Sequence, residues 1–157
     1  MSFTFNPINE EKIKKLWGEY PKKESLTLPM LWMAQYQEGW ITPEAIRTIA
    51  ARLELSPSHL FGIATFYTMF RLSAVGTYHI ELCQTLSCAL CGKDALIEHL
   101  GKKWGIRPGE TTEDGRFTLS LVECLGGCGG APMLSLNETY HENVTPESLD
   151  ALLEGLS

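Results

Sequence analysis

The first part of the chain has apolar residues at helical spacing. Ile13, Leu16 and Trp17 form one apolar stripe, and a second apolar run extends over residues 28–40. Because intervals of three and four residues place side chains on one face of a helix, both runs predict amphipathic helices.

Two more helices are predicted by their start signals. Thr42 and Ser56 each stand directly before a proline, and a capping side chain followed by proline is a common first turn. The apolar positions expected on their buried faces are Ile46, Ile49, Ala50, Leu53, Leu60, Ile63, Ala64 and Tyr67. Together with the two earlier runs, they predict a bundle of about four short helices over residues 1–72.

After Gly76 the pattern changes from helical to alternating. The predicted elements are strands at 78–82 and 117–121, a helix at 90–104 between them, a hairpin over 133–141, and a last helix after Thr145. This β-α-β-β-β-α order predicts an α+β domain over residues 73–157, with a small sheet and helices packed on it.

The charge balance excludes several classes of partner. The 157 residues include 13 Lys and Arg against 19 Asp and Glu, a formal net charge of −6, and no basic cluster is visible. We therefore expect no nucleic-acid binding and no attraction to acidic lipids. No apolar run has the length of a membrane span, and the N-terminus lacks a secretory pattern. A cytoplasmic protein without direct membrane insertion is expected.

All five cysteines lie between Cys83 and Cys128. A secreted disulfide framework usually spreads an even number of cysteines through the chain, so this clustering favours a metal or redox site in a reducing compartment. Cys83 and Cys88 follow the first predicted strand, and Cys124 and Cys128 follow the second. Two such loops at one end of a sheet can bring four thiolates together, which suits an iron–sulfur cluster or tetrahedral zinc.

The second of these loops is rich in glycine. It reads CLGGCGGAP, with glycines on both sides of Cys128. Glycine lets the backbone approach closely and turn N–H groups toward a negatively charged sulfur cage, as an oxidised [2Fe–2S] centre with four thiolates requires. A tight loop without a ligand is less favoured because cysteines flank the glycines.

Cys91 keeps three alternatives open. The spacing Cys83-x4-Cys88-x2-Cys91 matches the first three ligands of a plant-type ferredoxin, with Cys124 or Cys128 as the fourth. Cys88 and Cys91 could instead form a thioredoxin-like dithiol, or join Cys124 and Cys128 in a structural zinc site. Because two paired loops already supply four ligands, and Cys91 falls in the first turn of a predicted helix, we expect a buried or partly buried free thiol.

Histidine and aromatic residues are assigned no redox role. The histidines are scattered singly, whereas a Rieske-type site needs two of them in place of two cysteines. Six aromatic residues at helical spacing are expected in the core: Trp32, Tyr36, Trp40, Phe66, Tyr67 and Phe70. The chain contains neither a G-x-G-x-x-G motif after a strand nor a P-loop, so a partner must bind any nucleotide.

Four segments form a succession typical of one family. They are ATFYTMF at residues 64–70, ELCQTLSC at 81–88, RPGETTEDGRFTL at 107–119 and VECLGGCGGAPML at 122–134. The succession resembles the NuoE-type subunit of NADH:quinone oxidoreductase, complex I, over nearly the whole chain. The resemblance implies a thioredoxin-like [2Fe–2S] ferredoxin behind an N-terminal helical bundle.

The same resemblance implies a site and partners. One [2Fe–2S] cluster would be held by Cys83, Cys88, Cys124 and Cys128, while Cys91 stands where relatives usually have no cysteine. A flavin- and NADH-binding (NuoF-like) subunit would hold FMN and NAD(H), beside further iron–sulfur subunits. The chain would then be a subunit of an NADH dehydrogenase, cytoplasmic or peripheral to the inner membrane, that does not turn over alone. Similar subunits occur in soluble NAD-linked or bifurcating hydrogenases and in formate dehydrogenases.

Two roles are open for the helical bundle over residues 1–72. A small ferredoxin does not need an extra bundle to hold its own cluster, so we expect a docking face for the flavin-bearing partner. The alternative is a bundle that only shields the sheet.

Overall fold

A computed structural model describes residues 3–156 of the chain, which folds as two compact units that divide between Ala74 and Val75. The N-terminal unit contains the helices α1 (Pro7–Glu19), α2 (Thr27–Glu38), α3 (Pro43–Leu53) and α4 (Pro57–Phe66). Among the helices of residues 3–156, none combines the length and apolarity that a membrane crossing requires.

Side-chain caps explain where most of these helices begin. Asn6, Thr42 and Ser56 each accept a hydrogen bond from the backbone N–H three residues later, and a proline follows each cap. The starts expected at Thr42 and Ser56 are confirmed. The side chains of Met30, Leu31, Ala34, Ala45, Ile49, Ala50, Leu53 and Leu60 are almost fully buried in the core of this unit.

The C-terminal unit is a four-stranded mixed sheet with helices. Its elements are β1 (Tyr78–Cys83), α5 (Leu86–Leu90), α6 (Lys93–His99), β2 (Phe117–Val122), β3 (Leu134–Leu136), β4 (Thr139–His141) and α7 (Pro146–Glu154). The strand order is β2-β1-β3-β4, with β1 and β2 parallel and the other neighbours antiparallel. The core joins apolar sheet residues such as Ile80 and Leu119 to Leu96 of α6 and Leu149 of α7. The predicted β-α-β-β-β-α order and the α+β class are confirmed.

Local turn chemistry explains the end of this unit. Asn137 and Glu138 have φ values of 46° and 69°, the left-handed conformation that a tight two-residue hairpin requires. Thr145 and Ser148 form a reciprocal capping box at the start of α7. The hairpin and the last helix are therefore confirmed.

The single helix expected over residues 90–104 is wrong. Gly92 has a φ of 108°, which interrupts the helix and separates α5 from α6, and residues Leu100–Trp104 form a π-helical turn. Cys91 consequently lies at the C-terminal cap of α5 rather than in a first turn, and its side chain is exposed. The expectation of a buried or partly buried thiol is also wrong.

The expected burial of the aromatic residues is wrong for two of them. Phe70 is buried, but Phe66 is 78% exposed and Tyr36 is 65% exposed. Leu60 and Ala64 form the buried face of α4, and Phe66 lies two residues beyond Ala64, on the opposite side of the helix. Tyr36 stacks on the half-buried Trp32 at the edge of the bundle instead of entering the core.

Candidate metal centre

Two cysteine-bearing segments meet at one edge of the sheet. Residues 83–88, named the first cysteine loop, run from the last residue of β1 into α5. Residues 123–133, the second cysteine loop, connect β2 to β3. Because β1 and β2 are parallel and β3 is antiparallel to β1, the first two strands end where β3 begins. Both ends of the second loop therefore lie at the same edge of the sheet as the start of the first loop.

Backbone hydrogen bonds hold the start of the first loop between its neighbours. The Cys83 N–H donates to the Met133 carbonyl at 3.2 Å, and the Gln84 N–H donates to the Val122 carbonyl at 2.9 Å. The Gln84 side-chain amide also donates to the Glu123 carboxylate at 3.1 Å. Both sides of the second loop are thus tied to the end of β1.

The Cys83 thiol is buried yet surrounded by hydrogen-bond donors. Its residue is only 2% exposed, and the Thr85 hydroxyl lies 3.3 Å from its Sγ. Burial raises the pKa of the thiol, but hydrogen bonds from the Thr85 hydroxyl, the N–H groups of Leu125 and Thr85, and the Cys88 thiol lower it below the ordinary value. Cys83 is therefore favoured as the thiolate of this pair.

The Cys88 thiol has the opposite shift. Its residue is 1% exposed, and burial raises its pKa above the ordinary value. The backbone N–H of Met133 lowers the pKa, but the neighbouring sulfur of Cys83 and the charge of Cys128 raise it further. Cys88 therefore lies within electrostatic reach of both Cys83, in its own loop, and Cys128, in the second loop.

The second cysteine loop is more open. Cys124 and Cys128 are both exposed, and Cys128 begins a short 3₁₀ turn, Cys128–Gly130. The Gly126 N–H donates to Cys124 Sγ at 3.3 Å, while the N–H of Leu125, next to Cys124, donates to Cys83. The backbone N–H groups of this loop thus face two sulfurs, that of Cys124 and that of Cys83.

Side chains approach two glycines of the second loop closely. A Cβ atom at Gly127 would lie 2.6 Å from Met133 Sδ, and one at Gly130 would lie 2.5 Å from Glu142 Oε2. Both distances are shorter than any ordinary contact, so larger residues would displace these side chains. The close packing in this part of the loop is against Met133 and Glu142.

The cysteines of the two loops fit a metal centre that takes its protein ligands in pairs. Within residues 3–156, no three Cys, His, Asp or Glu side chains surround one point as the ligands of a single metal ion do. A [2Fe–2S] cluster does not need such a group, because each of its irons takes two protein ligands. The buried thiols of Cys83 and Cys88 are neighbours whose pKa values shift in opposite directions, and two thiolates there would repel each other. A cationic iron–sulfur core bound between them would remove that repulsion, and the backbone N–H groups near the sulfurs would offset the remaining negative charge.

Four residues of this edge were not singled out by the sequence. Thr85, Leu125 and Met133 contribute hydrogen bonds to the sulfurs of Cys83 and Cys88, and Glu142 packs on the glycines. Only Thr85 could have been found from the local sequence, because its hydroxyl lies two residues after the candidate ligand Cys83 and can reach that sulfur. The other three act through tertiary contacts.

The chain is similar to one protein family and to subunits of one enzyme. The family model "Thioredoxin-like [2Fe-2S] ferredoxin" matches residues 13–157. The chain is 42% identical over 144 residues to an E-type subunit of the NADH-quinone oxidoreductase of Rhizobium meliloti, covering 92% of this chain and 86% of that protein. It is 40% identical over 150 residues to subunit 2 of the NADH-quinone oxidoreductase of Thermus thermophilus, covering 94% and 83%.

A solved structure extends the similarity to a different enzyme. An NAD+-reducing [NiFe]-hydrogenase in the air-oxidised state has a chain that matches with a TM-score of 0.72 and 25% identity. The match covers 82% of the present chain but only 22% of the hydrogenase chain. The fold of the present chain therefore corresponds to about a fifth of that longer polypeptide.

Proposed function

Because the chain belongs to the thioredoxin-like [2Fe–2S] ferredoxin family, we propose that Cys83, Cys88, Cys124 and Cys128 hold one [2Fe–2S] cluster. When bound, such a cluster accepts and releases one electron at a time. The observation that carries this assignment is the pair of buried thiols in the first cysteine loop, which lie beside the backbone N–H groups of Leu125 and Met133 in the second loop. The protein supplies both the thiolates and the donors that offset their charge.

The relatives give the proposed assembly. Two of them are named as subunits of NADH-quinone oxidoreductase and cover most of the present chain. We therefore infer an electron-transfer subunit beside a flavin- and NADH-binding partner and further iron–sulfur subunits, at the membrane periphery or in the cytoplasm. The chain has no nucleotide-binding motif of its own, so the partner holds FMN and NAD(H).

A pair of variants tests the ligand set. Cys128→Ser removes a proposed ligand, whereas Cys91→Ser removes an exposed thiol outside the set. After anaerobic reconstitution with iron and sulfide, Cys91→Ser should retain iron and visible absorption, and Cys128→Ser should lose both. A cluster that survives in Cys128→Ser but is lost in Cys91→Ser supports the plant-type set. Zinc bound in place of iron during expression in iron-replete medium supports the structural zinc module.

The equivalent subunit of an NAD-linked hydrogenase is the second candidate. It is favoured by the similarity to the NAD+-reducing [NiFe]-hydrogenase chain. Isolation of the tagged chain with its native partners distinguishes the two assemblies. Quinone-reducing membrane subunits identify the oxidoreductase, and a nickel-containing large subunit identifies the hydrogenase.

Exposed apolar side chains of the N-terminal unit support docking of the flavin-bearing partner there. Phe66 is 78% exposed, Phe61 is 51% exposed and Met69 is 42% exposed. Large apolar side chains left in water are characteristic of surfaces that bind another protein. Phe66→Asp should weaken association with the partner at least tenfold, while Tyr20→Asp, at another exposed aromatic, should not. Equal association of both variants would favour the bundle that only shields the sheet.

A further inference from the structure

We propose that Glu142, whose carboxylate packs on the glycines beside Cys128, lowers the reduction potential of the cluster through its negative charge. This inference rests on the proposed function, because it assumes a cluster at the cysteine loops. It assigns a role to a residue outside the four cysteines and outside both loops. Glu142 follows β4 directly, and nothing in its local sequence marks it as part of the site.

The position of the carboxylate is shown by the two glycines that it contacts. A Cβ atom built at Gly130 would lie 2.5 Å from Glu142 Oε2, and one built at Gly127 would lie 3.1 Å from Glu142 Oε1. The two carboxylate oxygens therefore lie against the backbone on both sides of Cys128. A larger residue at Gly130 would overlap Glu142, and one at Gly127 would press against its carboxylate.

Backbone hydrogen bonds hold the segment that carries Glu142 against the second cysteine loop. The Asn143 N–H donates to the Gly130 carbonyl at 2.6 Å, and the Val144 N–H donates to the Pro132 carbonyl at 2.9 Å. Asn143 has a φ of 51°, a left-handed conformation that asparagine tolerates and that turns the chain toward α7. The backbone that carries the exposed Glu142 is thus anchored on its C-terminal side.

The charge of Glu142 is not compensated by an ion pair. Within residues 3–156, no Lys, Arg or His lies within ion-pair distance of this carboxylate. Reduction adds one electron to a centre that is already negative, and a nearby negative charge makes that addition less favourable. The backbone N–H donors of the loops act in the opposite direction, so the potential reflects a balance between the two.

Glu142→Gln separates the electrostatic role from a purely structural one. Glutamine has the same shape as glutamate and keeps the packing against Gly127 and Gly130, but it removes the charge. Asn143→Asp adds a second carboxylate at the neighbouring position, which the Gly130 carbonyl holds close to the loop. Glu113→Gln is the matched control, because Glu113 is exposed and precedes β2 at the end of the strand remote from Cys124.

The measurement is a potentiometric titration of the full chain with its cluster, followed by electron paramagnetic resonance, with iron counted in each sample. At a fixed ambient potential, the ratio of reduced to oxidised cluster should rise about threefold to tenfold in Glu142→Gln and fall in Asn143→Asp, where tenfold is about 59 mV for a one-electron couple. Glu113→Gln should match the unchanged protein.

Each alternative result has a defined meaning. An unaltered midpoint in Glu142→Gln with a full complement of iron overturns the role of Glu142 and leaves the cluster proposal intact. If Glu142→Gln loses its iron, Asn143→Asp decides, and a midpoint that does not fall overturns the inference. Loss of iron from both variants overturns it too, because the segment would then be structural. If the protein without any substitution contains no iron, the proposed function is contradicted instead.

Discussion

The two cysteine loops are built by different means. The first loop places Cys83 and Cys88 in the interior, each at most 2% exposed, at the end of a central strand and in a short helix. The second loop leaves Cys124 and Cys128 exposed and depends on glycines against which Met133 and Glu142 pack. Burial therefore fixes the sulfurs of the first loop, whereas the backbone of the second loop is held by side chains that pack on its glycines.

Removal of one ligand from each loop should produce the largest effects and separate the two loops. Cys83→Ser and Cys124→Ser should both abolish the visible absorption of the cluster, because each removes a proposed thiolate. Without metal, Cys83→Ser should lose about 1–3 kcal/mol of unfolding free energy, since a buried hydroxyl replaces the thiol. Cys124→Ser should change it by less than about 0.5 kcal/mol, as exposed substitutions usually do. Equal losses in urea unfolding of the two apo variants would remove the distinction.

Neighbouring glycines of the second loop should respond differently to alanine. Gly130→Ala places a Cβ 2.5 Å from Glu142 Oε2, and overpacking of this kind costs about 1–3 kcal/mol. Gly129→Ala is the control, because a Cβ there meets no atom within 4 Å. Thermal unfolding should show a lower Tm for Gly130→Ala alone. A Tm for Gly130→Ala equal to that of Gly129→Ala would show that the packing against Glu142 is not close.

The Thr85 hydroxyl should account for part of the low pKa of Cys83. Thr85→Val removes the donor 3.3 Å from Cys83 Sγ, so the pKa of the thiol should rise toward its ordinary value. The pH dependence of alkylation measures this change in metal-free protein, in a background where serine replaces Cys91, Cys124 and Cys128, the three exposed thiols. Ser87→Ala in the same loop is the control. An unchanged titration of Cys83 in Thr85→Val would assign the lowered pKa to the backbone N–H donors.

Asp150 provides the smallest expected effect and lies in α7, outside both cysteine loops. Hydrogen bonds from Lys103, His99 and Trp104 hold its pKa well below the usual range. Because the folded-state pKa is depressed, the stabilisation is present above the unfolded value of about 3.9 and is lost as the pH falls through the folded value. Asp150→Asn should therefore lower the Tm at pH 7, and the difference should shrink below about pH 4. The Asp150→Asn variant should keep its full iron content. A loss of iron would mean that a small decrease in stability is enough to release the cluster.

The elements that local patterns specify were predictable from the sequence. Alternation over residues 78–82 and 117–121 predicts β1 and β2, and the caps at Thr42 and Ser56 predict the starts of α3 and α4. The two cysteine pairs could be placed at one edge for the same reason, since each pair directly follows a strand. These features depend on neighbours in the sequence.

The remaining features depend on contacts between distant segments. Nothing before Gly92 indicates that a φ of 108° there divides the helix, so the exposure of Cys91 could not be foreseen. Glu142 reaches Gly127 and Gly130 only after the hairpin folds back on the second loop. Phe66 has the same helical spacing as core residues, and only the packed bundle leaves it in water.

The most direct measurement is the number of electrons that the unaltered chain takes up for each iron atom it contains. Chemical analysis of iron and sulfide combined with spin counting after dithionite reduction should give about two irons, two sulfides and one unpaired spin per chain. Protein that contains zinc without iron, or iron that yields no reducible spin, would contradict the assignment of a [2Fe–2S] cluster to these four cysteines.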